Sequence, residues 1–138
     1  MNNIMNNIEK KPLIVILGPT AVGKTAVSIE LAQRLDGEIV SADSCYLYRD
    51  MDIGTAKPTL AERQSVPHHL IDVADPDEVW SLALYQREAY KIIDDILNRD
   101  RLPFLAGGTG QYIRAIIEGW VIPPQRPDND LRRVLTQW

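Results

Sequence analysis

The run "LIVILGPTAVGKTAVSIELAQRL", Leu13 to Leu35, decides how the rest of the chain is read. Its first part, Leu13–Gly18, is a continuous apolar stretch with β-branched residues, the composition of a strand buried on both faces. Its last part, Thr25–Leu35, carries Ala26, Val27, Ile29, Leu31, Ala32 and Leu35 and predicts a helix packed on a sheet. Between them "GPTAVGKT" fills the pattern G-x-x-x-x-G-K-[ST]. Gly18 and Gly23 are expected to take backbone angles that turn successive N–H groups inward, with Pro19, Thr20, Ala21 and Val22 as the loop between them. Those donors and the positive end of the following helix attract a polyphosphate. Lys24 adds a full charge against terminal phosphate oxygens, and the Thr25 hydroxyl suits Mg²⁺. Strand, glycine-bounded loop and helix in that order make a phosphate-binding loop (P-loop).

Working outward, three further strands are expected, at Glu38–Asp43, His69–Val73 and Pro103–Gly108. Ser81 is a candidate N-cap for a long helix to about Arg99, with Leu84, Ile92, Ile93, Ile96 and Leu97 as its buried stripe. Thr109–Glu118 predicts another helix with Tyr112, Ile113, Ile116 and Ile117 on one face, stopped by Gly119. Strands alternating with helices imply an α/β fold, a P-loop NTPase-like parallel sheet flanked by helices. Three regions are expected. Residues 1–12 form a disordered lead-in, 13–122 an incomplete P-loop catalytic core, and 123–138 the start of a helical segment after the "PPQRP" break. Four strands are few for such a core, so the sequence reads as part of a longer polypeptide.

The bulk properties narrow the partners. A net charge of −4 over 138 residues argues against broad, nonspecific adhesion to nucleic acid, so any such contact should be local. The single cysteine, Cys45, cannot form an internal disulfide and suits a reducing compartment. No apolar run reaches the roughly 20 residues of a membrane span, so a cytoplasmic protein without membrane contact is expected.

In a parallel sheet the carboxyl ends of the strands open on the side of the phosphate loop. The second strand delivers Asp43 and Ser44 there. A carboxylate so placed can hold Mg²⁺ through water or accept a proton from a nucleophile. The last strand ends in "GGTGQY" (Gly107–Tyr112), where Thr109 can face the site, cap the next helix, or do both. Cys45 can line the site or pack as a small buried side chain. His68 and His69, adjacent on a strand, point to opposite faces and cannot share a metal, so one is expected packed and the other exposed. Trp80, Tyr85 and Tyr90 are expected to pack. Arg126, Arg132 and Arg133 read as a solvated face or as phosphate contacts.

Taken together, "GPTAVGKT", "SADSCYLYRDMDIGTAKP", "PHHLIDV" and "PFLAGGTGQYIRAI" resemble the tRNA dimethylallyltransferase family, in order and over nearly the whole chain. The phosphate loop is shared with many kinases, whereas "DMDIGTAKP" with "GGTGQY" is more specific. The resemblance implies transfer of a dimethylallyl group from dimethylallyl diphosphate to the exocyclic amine of the adenosine 3′ of the anticodon in tRNA, with Mg²⁺. It implies Asp43 as general base, Thr109 as its hydroxyl partner near the diphosphate, and Lys24 as the charge against the leaving group. It further implies base contacts from Asp43, Ser44, Cys45 and Tyr46 and a tRNA contact from Arg132. Family members often carry Gln where this chain has Tyr46, and they are about twice as long, so most of the helical insert and the C-terminal part are expected to be absent. A monomer is expected, with the tRNA anticodon loop as partner. The alternatives are a small-molecule P-loop kinase with ATP on the loop, an adenylate isopentenyltransferase, and a non-catalytic diphosphate-binding remnant.

Overall fold

The computed structural model describes residues 11–19, 23–51, 57–123 and 129–137. Four parallel strands form one sheet in the order β1-β4-β2-β3, with β1 at Ile14–Leu17, β2 at Gly37–Ser41, β3 at His68–His69 and β4 at Leu102–Gly107. The last strand in sequence thus lies between the first two. Helix α1 (Lys24–Arg34) covers one face, and α3 (Leu82–Asn98) with α4 (Gly110–Ile117) covers the other. The short α2 (Leu60–Ser65) lies beside α1, and α5 spans Asn129–Leu135.

Alternation along the central strands separates two cores. Ile39 and Phe104 point toward α1 and pack with Ala32 and Val66, while Val40 and Leu105 point toward α3 and α4. The second core is the larger. Tyr85 is fully buried and stacks on Tyr112 with ring centroids 3.9 Å apart. Its hydroxyl donates to the Ser41 carbonyl at 2.7 Å, satisfying a backbone acceptor near the end of β2.

Several expectations shift in detail. The stripe on α3 runs through Tyr85, Ala89, Ile93 and Ile96, so an aromatic residue takes the place expected of Leu84. On α4, Ile117 is 57% exposed and Ala115 is buried instead. On α1 only Ser28 and Ala32 are buried, and Val27 and Leu35 are about half exposed, because a single face of this helix meets the sheet. The strand expected over His69–Val73 is confined to His68–His69. Leu70 and Asp72 adopt positive φ of 62° and 55°, which breaks the extended run. The chain instead loops back, with Asp72 N–H bonded to the Tyr46 carbonyl and Val73 N–H to that of Leu47. The proposed lead-in lies outside the described residues up to residue 10. Among the described residues no helix is long and apolar enough to cross a membrane.

Candidate active site

Gly23 ends the phosphate loop with φ of 80°, the left-handed region that glycine enters at little cost, and α1 starts immediately after it. The Gly18 carbonyl receives the Lys24 ammonium. Thr20, Ala21 and Val22 lie outside the described residues. Among the described residues no side chain caps α1, and its first turn holds no acidic residue. The first amide N–H groups and the positive end of the helix are therefore left for an anion. By contrast α3 is capped by Ser81, whose hydroxyl accepts from Leu84 N–H at 3.0 Å, and α2 by a reciprocal Thr59–Glu62 capping box.

Strand β2 brings the second set of groups. Period-2 alternation puts Ile39, Ser41 and Asp43 on the face toward α1, where they line one cleft with Lys24, Thr25 and Ser28. Tyr46, His68 and Ile71 form its far wall. Asp43 Oδ1 accepts the Cys45 N–H at 3.1 Å and so caps a 3-10 turn over Ser44–Leu47. The ends of β2 and β4 are laced together behind it. Ala42 N–H donates to the Ala106 carbonyl at 2.8 Å, and Thr109 N–H to the Ala42 carbonyl at 3.0 Å. A Cβ on Gly107 would fall 2.3 Å from that same Ala42 carbonyl, so only glycine permits the approach. At Gly108 a Cβ would lie 3.3 Å from Lys24 Nζ and 3.8 Å from Asp43 Oδ2: the lysine and the carboxylate converge over a residue without a side chain.

Thr109 precedes α4 without capping it. Its Oγ1 accepts from Ser44 N–H at 3.0 Å and its hydroxyl lies 3.4 Å from Ser44 Oγ, which fixes the turn that follows Asp43. Burial pushes the Tyr46 phenol up, with the Asp43 and Cys45 charges adding to it, so the ring stays protonated at neutral pH. Burial lowers the His68 pKa, and its Nδ1–H donates to the Val66 carbonyl at 2.7 Å, so a neutral imidazole lines the cleft. Neither histidine is the exposed partner that was expected: His69 Nε2 lies 2.8 Å from Glu38 Oε1. Cys45 is exposed, not packed. The side chain of Arg132 lies outside the described residues, as does Arg126.

Two features escape a reading of motifs. Lys57, with a side chain only 4% exposed, donates to Asp72 at 2.7 Å and to the Tyr48 carbonyl at 2.6 Å, and Arg63 reaches the other Asp72 oxygen at 2.6 Å. Burial pushes the Asp72 carboxyl up, but these two cations outweigh it and hold the group below the usual range. The network anchors the segment that follows the 3-10 turn. The second feature is Ser41, a buried hydroxyl at the end of β2, which the spacing of two residues from Asp43 could have flagged.

Residues 46–138 match a family profile described as IPP transferase, and residues 11–75 one described as isopentenyl transferase. The chain belongs to the IPP transferase family. A tRNA dimethylallyltransferase of Roseiflexus sp. (strain RS-1) is 64% identical over 124 residues, 90% of this chain and 41% of that protein. One from Thermomicrobium roseum is 59% identical over 92% of this chain and 39% of its own length. The chain thus spans about two fifths of the curated family members it matches. Among solved family structures, the full-length tRNA isopentenylpyrophosphate transferase of Bacillus halodurans superposes with a TM-score of 0.81 at 52% identity, over 93% of this chain and 42% of that one. A eukaryotic dimethylallyltransferase solved acting on tRNA gives 0.78 at 34% identity, over 91% and 32% respectively. The family and its P-loop NTPase-like parallel sheet are therefore established for this chain.

Proposed function

We propose that these residues are the diphosphate-binding and base-activating part of a tRNA dimethylallyltransferase. The observation that carries the reading is the convergence of Lys24 and Asp43 over Gly108, beside an uncapped helix N-terminus. In the reaction the allylic carbon–oxygen bond of dimethylallyl diphosphate breaks, with its electron pair leaving on the diphosphate. The exocyclic nitrogen of the adenosine 3′ of the anticodon forms the new carbon–nitrogen bond and gives up a proton.

Each group has a physical part in this. The N–H groups at the start of α1 and the Lys24 ammonium hold the diphosphate and oppose the charge that grows on it as it departs. Asp43 is the base that takes the proton from the adenosine amine. Thr109 fixes the Ser44 turn, so that Asp43 meets the nitrogen in one orientation, and Ser44, Cys45 and Tyr46 border the base. Arg132 contacts the tRNA backbone. The adenosine has to leave its stack to reach a cleft of this kind. The Thr25 hydroxyl fits Mg²⁺, since the donors lining the cleft near it are oxygens, which hard cations prefer. When bound, the ion would add positive charge beside the leaving group. Residues 13–122 act as the catalytic core and 123–138 as the start of the segment that reaches the RNA, in the cytoplasm where tRNA is modified. The names of family members similar over most of this chain support tRNA as the acceptor and a dimethylallyl group as what is transferred.

The chain incubated with Mg²⁺, labelled dimethylallyl diphosphate and unmodified tRNA is expected to yield prenylated adenosine on digestion. Asp43→Asn is expected to retain diphosphate binding and lose the product. Hydrolysis of ATP in the absence of an isoprenoid donor would overturn the reading in favour of a kinase.

A further inference from the structure

Ser41 is 4% exposed, and its Oγ has no hydrogen-bond partner among the described residues. A buried hydroxyl left unpaired costs free energy comparable to a lost hydrogen bond, and native structures keep few of them. This one lines the same cleft as Thr25 and Asp43. Two of the other polar groups there are already committed: Ser28 Oγ donates to the Lys24 carbonyl at 2.6 Å, and Lys24 Nζ is bonded to Gly18. The Ser41 carbonyl is also taken, by the Tyr85 hydroxyl, which holds the strand in place around the free side chain. Ser41 is thus a rigidly held donor and acceptor whose partner must come from the contents of the cleft.

The surrounding chemistry narrows that partner. Ser41 lies two residues before Asp43 on one face of β2, which separates their Cα atoms by about 7 Å. It faces α1, where Thr25 occupies the first turn. A hydroxyl, a second hydroxyl and a carboxylate form an all-oxygen set, the donor type that hard cations prefer. They suit an ion that keeps several of its waters, as Mg²⁺ does. A prenyl chain offers Ser41 no hydrogen bond. We propose that the Ser41 hydroxyl accepts from a water in the shell of the divalent cation that Thr25 holds with the diphosphate, making it a positioning residue for that ion. The inference rests on the phosphate-site reading above and adds to it the residue that orients the hydrated ion.

The test is calorimetric titration of the 138-residue chain with inorganic pyrophosphate, with and without Mn²⁺, in the parent and in Ser41→Ala. The parent is expected to bind pyrophosphate more tightly with Mn²⁺. In Ser41→Ala that tightening is expected to shrink about tenfold. Metal-free binding should stay within about twofold, because no direct phosphate contact is removed. The urea midpoint is expected not to fall, since the substitution deletes an unpaired buried polar atom. Equal losses with and without Mn²⁺ would assign Ser41 to the phosphate itself and overturn the proposal. An unchanged metal dependence would overturn it in favour of a hydroxyl that bonds only a trapped water, and a lowered urea midpoint would do so in favour of a structural role. Failure of the parent to bind pyrophosphate at all would instead sink the phosphate site, and this inference with it.

Discussion

At the head of β2, Glu38 is 2% exposed and surrounded by partners. Arg99 takes both its oxygens, at 2.5 and 3.0 Å, and His69 bonds Oε1 at 2.8 Å. Arg101 Nε sits 3.0 Å from Oε2, close enough for an ion pair though out of line for a hydrogen bond. At the foot of the same strand, Ser41 is buried without a partner among the described residues, and Asp43 Oδ1 accepts from a neighbouring amide. The difference extends to the helices. Both α1 and α4, which open at the cleft, lack side-chain caps, whereas α2 and α3 have them. One end of the strand is chemically closed; the other is left open, as the proposed binding role requires.

The sharpest way to break this comparison is to alter the open end and look for a structural effect. Lys24→Ala is expected to weaken pyrophosphate binding about 100-fold, the loss of a charge-assisted contact, with little change in the urea midpoint. A large fall in stability with binding intact would reverse the assignment of the two ends.

At the closed end the expectation is the opposite. Glu38→Ala should cost about 3 kcal/mol in urea unfolding, because it strands cations that share a buried carboxylate, while the phosphate loop is untouched. The Arg99 hydrogen bonds, together with His69, overcome the opposing effect of burial and hold the Glu38 carboxyl below its ordinary value of 4.5. A carboxylate with a depressed folded-state pKa stabilises the protein above its unfolded value, and that stabilisation is lost as pH falls through the folded one. The parent should therefore lose stability progressively below about pH 4.5, with Asp72 contributing in the same direction. Urea titrations of Glu38→Ala over that range should show a shallower decline.

The smallest expected effect sharpens the contrast between helices. Ser81→Ala removes the cap of α3 and should cost about 1 kcal/mol, with pyrophosphate affinity unchanged. An affinity change there would mean that α3 is coupled to the cleft and that the capped and uncapped helices are not separate in role.

Much of this was legible in the sequence because it depends on local chemistry. The apolar run at Leu13–Gly18, the glycine–lysine–threonine turn and the periodic helices at Ser81 and Thr109 each produce their element from neighbouring residues alone. Where the reading slipped, distant contacts decided. His69–Val73 is apolar enough for a strand, yet Leu70 and Asp72 turn left-handed where the chain bonds back to Tyr46 and Leu47. Thr109 looks like a helix cap, but its hydroxyl is claimed by Ser44, 65 residues away.

The sequence by itself determined the phosphate loop and the α/β class, since both follow from residue type at short spacing. Only the tertiary structure decided which groups share the cleft. Inserting β4 between β1 and β2 brings Gly108 against Lys24 and Asp43, and the pleat of β2 turns Ser41 to the same side. Burial, convergence and the lack of a partner are properties of the packed sheet, and no local pattern encodes them.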